Sequence, residues 1–254
     1  MTTVWRDRVQ GKSKFRLVRW LPRYLRWYWL AVREGFARGR PTLYDARFSP
    51  AERRAKDAVW QVLCADFFQR YVAPDSTIVD LGAGFCEFIN HIRAREKWAV
   101  ETDARVRELA APGVRVHSGP AHDLGWLPPS SVDVVFASNV FEHFSSKDHV
   151  LAALREGHRV LRPGGRFLVL QPNIRFAYRE YWDFLDHHLP FSDRAMVEAL
   201  EITGFRVVEV RPRFLPYTTK GALPSWPALV KLYLRLPILH RMLGKQMFLV
   251  GVRP

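Results

Sequence analysis

The run Ile78-Val79-Asp80-Leu81-Gly82-Ala83-Gly84-Phe85-Cys86-Glu87 carries an apolar strand into a two-glycine turn and sets a carboxylate two residues before the first glycine. Glycine lacks the Cβ that would hold a ligand off the backbone and reaches φ angles closed to other residues. Gly82 and Gly84 therefore mark a strand-to-helix turn with a ligand lying against it. Phosphate is disfavoured there. The dinucleotide fingerprint needs a third glycine where Glu87 stands, and its turn seats a pyrophosphate at a helix N-terminus, whereas Asp80 and Glu87 would repel one. The ligand expected at this turn is cationic or zwitterionic.

Elements that would position such a site follow in order. Trp98-Ala99-Val100-Glu101 reads as a second strand ending in an acid, the place where nucleotide-binding α/β folds grip ribose hydroxyls. Val114 to His117 reads as a third strand, and Val132 to Asn139 as a fourth, apolar enough to be buried on both faces. Val140-Phe141-Glu142-His143 comes next, then Leu161-Arg162-Pro163-Gly164-Gly165-Arg166-Phe167-Leu168-Val169-Leu170, where Pro163 stops a helix and the glycine pair reverses the chain into a fifth strand. Phe205 to Val210 and Gln246 to Val252 supply the sixth and seventh strands.

These motifs, in this order, resemble the class I SAM-dependent methyltransferases. The resemblance implies a Rossmann-like α/β fold: a seven-stranded, mostly parallel sheet with an antiparallel last strand and helices on both faces. It implies S-adenosylmethionine as cofactor, whose α-amino group and sulfonium suit an acidic cradle and which carries no phosphate. The cofactor-binding residues it implies are Asp80, Gly82, Gly84, Glu101 and Asn139. One departure is visible: Pro120 stands where the family often places an acid against the adenine amino group, and proline offers neither carboxylate nor N–H. Asp123 either takes that contact or caps a turn.

At 254 residues and 48% hydrophobic, the chain suits one α/β domain with additions. Cys64 and Cys86 have no metal-ligand spacing, which suits a reducing compartment; no metal is expected, and Cys86 reads as a small buried hydrophobe. With no secretory signal and no uncharged apolar run near the ~18 residues of a spanning helix, a cytoplasmic protein is expected. The net charge of +14 sits at the ends: residues 1–40 carry +9 and residues 211–254 carry +8, leaving −3 for residues 41–210.

The expected organisation is a basic, aromatic, amphipathic helical arm at 1–48 and a methyltransferase domain at 49–254, with a basic apolar insertion at about 214–245 between the last two strands. In residues 15–33, Leu17, Leu21, Tyr24, Tyr28 and Val32 form a stripe among arginines. In residues 223–245, Lys231 and Arg235 share one helical face, leaving Leu229, Tyr233 and Leu236 to meet something apolar. Arginine mixed with aromatic rings suits an anionic membrane surface, so peripheral attachment at the inner face of a membrane is expected. Packing on the protein itself and, less favoured, binding of nucleic acid are the alternatives.

Methyl transfer to an alcohol needs a proton removed, and histidine is the usual base. Three histidines fall where the family's pocket is rimmed. His188 and His187, in the link after the fifth strand, are the first candidates, and His143, just past the fourth, is the second. The Asp/Asn-Pro-Pro-aromatic pattern of enzymes acting on exocyclic amines of bases is absent after the fourth strand, as is a Pro-Cys nucleophile. The basic tail also resembles bacterial methyltransferases of glycan and cell-envelope synthesis. The resulting expectation is methyl transfer to an oxygen of a small-molecule or glycolipid acceptor, a sugar or lipid-linked glycan. An RNA methyltransferase and a non-catalytic SAM-binding scaffold are the rivals.

Overall fold

The structure is a computed structural model that describes residues 49–217 and 226–254. The expected arm at 1–48, including the helix at 15–33, and residues 218–225 of the insertion lie outside the described residues.

Seven strands form one sheet: β1 (Thr77–Leu81), β2 (Glu96–Glu101), β3 (Val114–Ser118), β4 (Val132–Ser138), β5 (Leu161–Pro172), β6 (Arg206–Arg211) and β7 (Gln246–Val252). Their spatial order is β3-β2-β1-β4-β5-β7-β6. The pairs among β1 to β5 are parallel, and β7 runs antiparallel to both β5 and β6. The expected fold is therefore the observed one. The chain winds outward in opposite directions from β1 and β4, which opens a crevice beyond their carboxyl ends, where ligands of open α/β sheets bind.

The helices are α1 (Pro50–Asp66), α2 (Glu87–His91), α3 (Val106–Leu109), α4 (Lys147–Val160), α5 (Ile174–Ala177), α6 (Asp193–Ile202), α7 (Pro227–Arg235) and α8 (Pro237–Leu243). Alternating residues send β1 and β4 into two cores. Val79, Leu81, Val135 and Ala137 pack with Val150, Ala153 and Leu154 of α4 and Met196 and Leu200 of α6. Ile78, Val134 and Phe136 pack on the other face with Trp60 and Leu63 of α1 and Phe88 of α2, whose ring stacks on Phe136 at 3.7 Å. Both strands are thus buried on two sides, which is why their sequences read as apolar runs. Ser192 caps α6 by accepting from the Ala195 N–H at 3.1 Å, and Gly204 ends it at φ +96°.

Two expectations change. Pro163-Gly164-Gly165 is not a turn leading into the fifth strand: it lies inside β5, where the register slips opposite Val132 and Val134 and Gly164 takes φ +80°. A bulge absorbs the reversal expected of the glycine pair, and Arg162 pins it through Asp133 at 2.6 Å. In the insertion, Tyr233 faces the core with Val230 and Leu234, its hydroxyl donating to the Phe214 carbonyl. Leu229 and Leu236 are exposed instead, as are Trp226, Leu232, Ile238 and Met242.

Candidate active site

The glycine turn is fixed by β2. The N–H groups of Gly82 and Ala83 both donate to the Val100 carbonyl, at 2.9 and 3.1 Å, and Gly82 takes φ +66°. A Cβ on Gly82 would stand 2.5 Å from Val140 Cγ2, so the turn is wedged against the segment leaving β4. Gly84 takes φ +53° and donates its N–H to Glu101 Oε2 at 3.0 Å. Glu101 Oε1 accepts from the Thr102 and Asp103 N–H groups at 2.7 and 3.2 Å, which holds the carboxylate at the mouth of the turn.

Asp80 is only 3% exposed, and its carboxylate accepts no hydrogen bond among the described residues. Burial raises its pKa well above the ordinary 3.8, and the charges of Glu87 and Glu101 raise it further. Glu87, by contrast, is answered by Lys56 of α1 at 3.0 Å, and Arg53 lies 4.4 Å above the Phe85 ring. The negative lining expected from Asp80 and Glu87 is thus concentrated in Asp80. Cys86, at φ 63°, is buried; desolvation first, then Asp80, Glu87 and Glu101, push its thiol up to about 12, so it packs and does not react.

At the end of β4, Asn139 adopts φ 50° while its N–H donates to the Leu170 carbonyl at 2.9 Å. Its Nδ2 donates to Ser138 Oγ at 3.2 Å, and its Oδ1 is buried with no partner among the described residues. Asp123 is exposed and accepts the Gly125 N–H at 3.1 Å. The structure gives Asp123 the turn-capping bond of its two expected roles.

Past Asn139 the chain makes a single turn, Phe141–His143, which meets the link after β5. The Glu142 carbonyl accepts from the His188 and Leu189 N–H groups at 2.7 and 3.2 Å, clipping the two segments together. The Glu142 side chain is buried and accepts from Gln171 Nε2 at 2.7 Å. Burial raises its pKa, while His143 and that hydrogen bond pull it back. His143 Nδ1 lies 3.0 Å from the Asp186 carbonyl and 3.3 Å from Asp186 Oδ2. The His187 ring centre is 5.0 Å from that of His143, and its Nδ1 lies 2.9 Å from the Tyr181 carbonyl. Tyr217 brings its hydroxyl to 3.5 Å from His187 Nε2. Among the three expected histidines, His143 and His187 come together, whereas His188 is exposed and contributes its backbone.

A family model described as a methyltransferase domain matches residues 79–169, from β1 into β5. Residues 79–169 thus match a methyltransferase domain, set in the fold described above. The chain is 34% identical over 144 residues to the demethylmenaquinone methyltransferase of Mycobacterium bovis, covering 55% of this chain and 61% of that one. A methyltransferase of Claviceps purpurea is 33% identical over 98 residues, 36% of this chain and 30% of its own. The chain thus spans about three-fifths of the length of the Mycobacterium relative. A SAM-dependent methyltransferase of Archaeoglobus fulgidus superposes with a TM-score of 0.60 at 16% identity, over 78% of this chain and 94% of that one. One from Mesorhizobium loti gives 0.51 at 19% identity, over 70% and 91%. These two likenesses speak to the fold.

The cofactor of this family is S-adenosylmethionine, and the crevice of this methyltransferase domain fits it on three counts. Gly82 brings the backbone of the turn hard against Val140, where a Cβ would not fit, Asp80 is a buried carboxylate with no hydrogen-bond partner among the described residues, and Asn139 Oδ1 is a buried acceptor without a donor there. On the acceptor side, sequence reasoning missed Asp186, Tyr181 and Gln171, and it quoted Glu142 without a role. The signal for Glu142 was an acid within an apolar run, Val140-Phe141-Glu142; the other three carried none.

Proposed function

We propose that the domain transfers a methyl group from S-adenosylmethionine to an oxygen of a small amphipathic acceptor, a sugar or lipid-linked glycan, at a membrane surface. The observation that carries this reading is the juxtaposition at Val140. The segment that closes over Gly82 continues within three residues into Glu142 and His143, so cofactor cradle and imidazole cluster are neighbours. Asp80, Gly82, Gly84, Glu101 and Asn139 hold the cofactor. It supplies a sulfonium methyl open to in-line displacement, and alignment of the acceptor does most of the remaining work. An alcohol must shed its proton, and the His143–His187 cluster is where that proton is received.

The membrane part rests on α7 and α8. Trp226 and Met242 are 66% and 65% exposed, and Leu229, Leu232 and Ile238 of the same segment are exposed too. Lys231, Arg235 and Arg241 lie in the same two helices, and residues 212–254 hold no acid. Each basic residue near an anionic leaflet contributes about 1 kcal/mol, and the apolar side chains add to it. Similarity to demethylmenaquinone methyltransferases supports an acceptor with an apolar part.

Isothermal calorimetry with S-adenosylmethionine and S-adenosylhomocysteine tests the cofactor, and label transfer into envelope lipid extract tests the chemistry. Absence of heat with either compound removes the enzyme reading. Heat without labelled product from any extract leaves the scaffold alternative standing instead.

A further inference from the structure

We propose that Glu142, His143 and His187 form a divalent transition-metal site at the acceptor side of the domain. One ligand atom from each residue lies within 4.8 Å of the others. The ligands of a tetrahedral zinc site, at bond lengths of ~2.0–2.2 Å, sit roughly 3.4 Å apart, so closure needs side-chain shifts of about 1 Å.

The outer contacts are those a metal site requires. A carbonyl oxygen can only accept, so the Asp186 and Tyr181 carbonyls beside the two Nδ1 atoms place a hydrogen on each of them. That makes Nε2 the basic nitrogen of both rings. Gln171 donates to one oxygen of Glu142 and orients the other. Each ligand is therefore aimed by a second hydrogen bond, the arrangement that fixes tautomer and direction in metal centres.

A further observation points the same way. Tyr181 is fully buried, and its hydroxyl has no hydrogen-bond partner among the described residues. Its ring lies 4.7 Å from that of His187, and the charge of Glu142 acts on it. A water on a metal ion in this cluster would give that hydroxyl its missing partner.

Two imidazoles and one carboxylate select zinc or a neighbouring first-row ion over magnesium and calcium, which prefer all-oxygen shells. With both imidazoles ligated, a metal here would take over their part: it would acidify an acceptor hydroxyl that coordinates it, the proton leaving to water and not to the histidines, so the role assigned to the ion rests on the oxygen-acceptor reading above. The site itself does not.

The test is calorimetric titration of chelator-treated full-length protein with zinc chloride, then with magnesium chloride, and separately with S-adenosylhomocysteine. One zinc per chain with micromolar or tighter affinity is expected, with no heat from magnesium. His143→Ala and His187→Ala should each weaken zinc binding at least 10-fold while S-adenosylhomocysteine binding and the thermal melt are retained. His149→Ala removes a surface imidazole that stacks on His122 at 4.6 Å, and it should bind zinc as wild type does. No zinc binding by the wild type, or loss only in His149→Ala, overturns the site. Failure to bind S-adenosylhomocysteine with zinc binding intact removes the cofactor reading and leaves the site in place.

Discussion

Replacing Asp80 by Asn should make the protein more stable and a worse binder of S-adenosylmethionine. The carboxylate is 3% exposed, accepts no hydrogen bond among the described residues, and faces two further acids. Its folded-state pKa is raised, so the folded form holds the proton more tightly than the unfolded chain does. The stability linked to that proton is full below the ordinary value of 3.8 and is lost as pH rises through the folded value, so above 3.8 the carboxyl group weighs increasingly against the fold. Asparagine keeps the shape and removes the charge, and changes of this kind at functional sites contribute about 1–2 kcal/mol. For a chain of this size that is a rise of roughly 2–8 °C in Tm. The same change removes a charge-assisted bond to a cationic ligand, worth about 1.5–3 kcal/mol, or about 10- to 100-fold in Kd. The assay is differential scanning fluorimetry across pH 5 to 9 without ligand, paired with calorimetry at pH 7.5. The gain in Tm should not grow, and should shrink, as pH is lowered toward the ordinary carboxylate range. A lowered Tm at neutral pH, or an unchanged Kd, would refute the claim that Asp80 is a destabilising charge held for a cation.

Gly82→Ala meets both φ +66° and Val140 Cγ2 at 2.5 Å, so a loss of about 2–4 kcal/mol is expected in chemical denaturation. Val140→Ala in that background should restore the steric part and leave the backbone strain. His143→Ala should slow methyl transfer about 100- to 10,000-fold in a radiolabel assay while cofactor affinity stays within about twofold; a parallel loss of affinity would place His143 with the cofactor instead. Leu232→Glu with Met242→Glu, both at exposed positions, should abolish co-sedimentation with vesicles of 30% anionic lipid and leave the melt unchanged. Equal binding to neutral vesicles by the wild type would remove the electrostatic part of that reading.

The cofactor half of the crevice was legible because its parts are local or periodic. A strand buried on both faces must be apolar throughout, and the turn after it needs glycine at φ angles that other side chains resist, so β1, β4 and Gly82 announce themselves in one dimension. Lys56 escaped notice because it meets Glu87 from another element, across 31 positions of sequence. The insertion was misread for a different reason. Helical spacing identifies faces but not which face the core takes, and in α7 the core takes Val230, Tyr233 and Leu234 because the Tyr233 hydroxyl finds the Phe214 carbonyl there.

The acceptor half could not have been read in the same way, and the reason bears on how the domain works. Glu142 and His143 adjoin in sequence, but His187 enters their company only because the His188 and Leu189 N–H groups close on the Glu142 carbonyl. That clip joins two links that leave neighbouring strands, so the β4–β5 pairing and two backbone bonds bring the cluster together, and Gln171 on Glu142 and Asp186 beside His143 then orient it. Phe184, stacked on His187 at 4.8 Å, Asp186 beside His143 and Tyr217 beside His187 tune this cluster while β1, β2 and the Gly82 turn stay fixed. On the proposed reading, the cofactor cradle and the acceptor cluster rest on different elements. It follows that substitutions in 183–187 should alter the acceptor's KM, whereas those at 80–84 should alter cofactor Kd, and Val140, which touches both halves, is the position expected to move the two together.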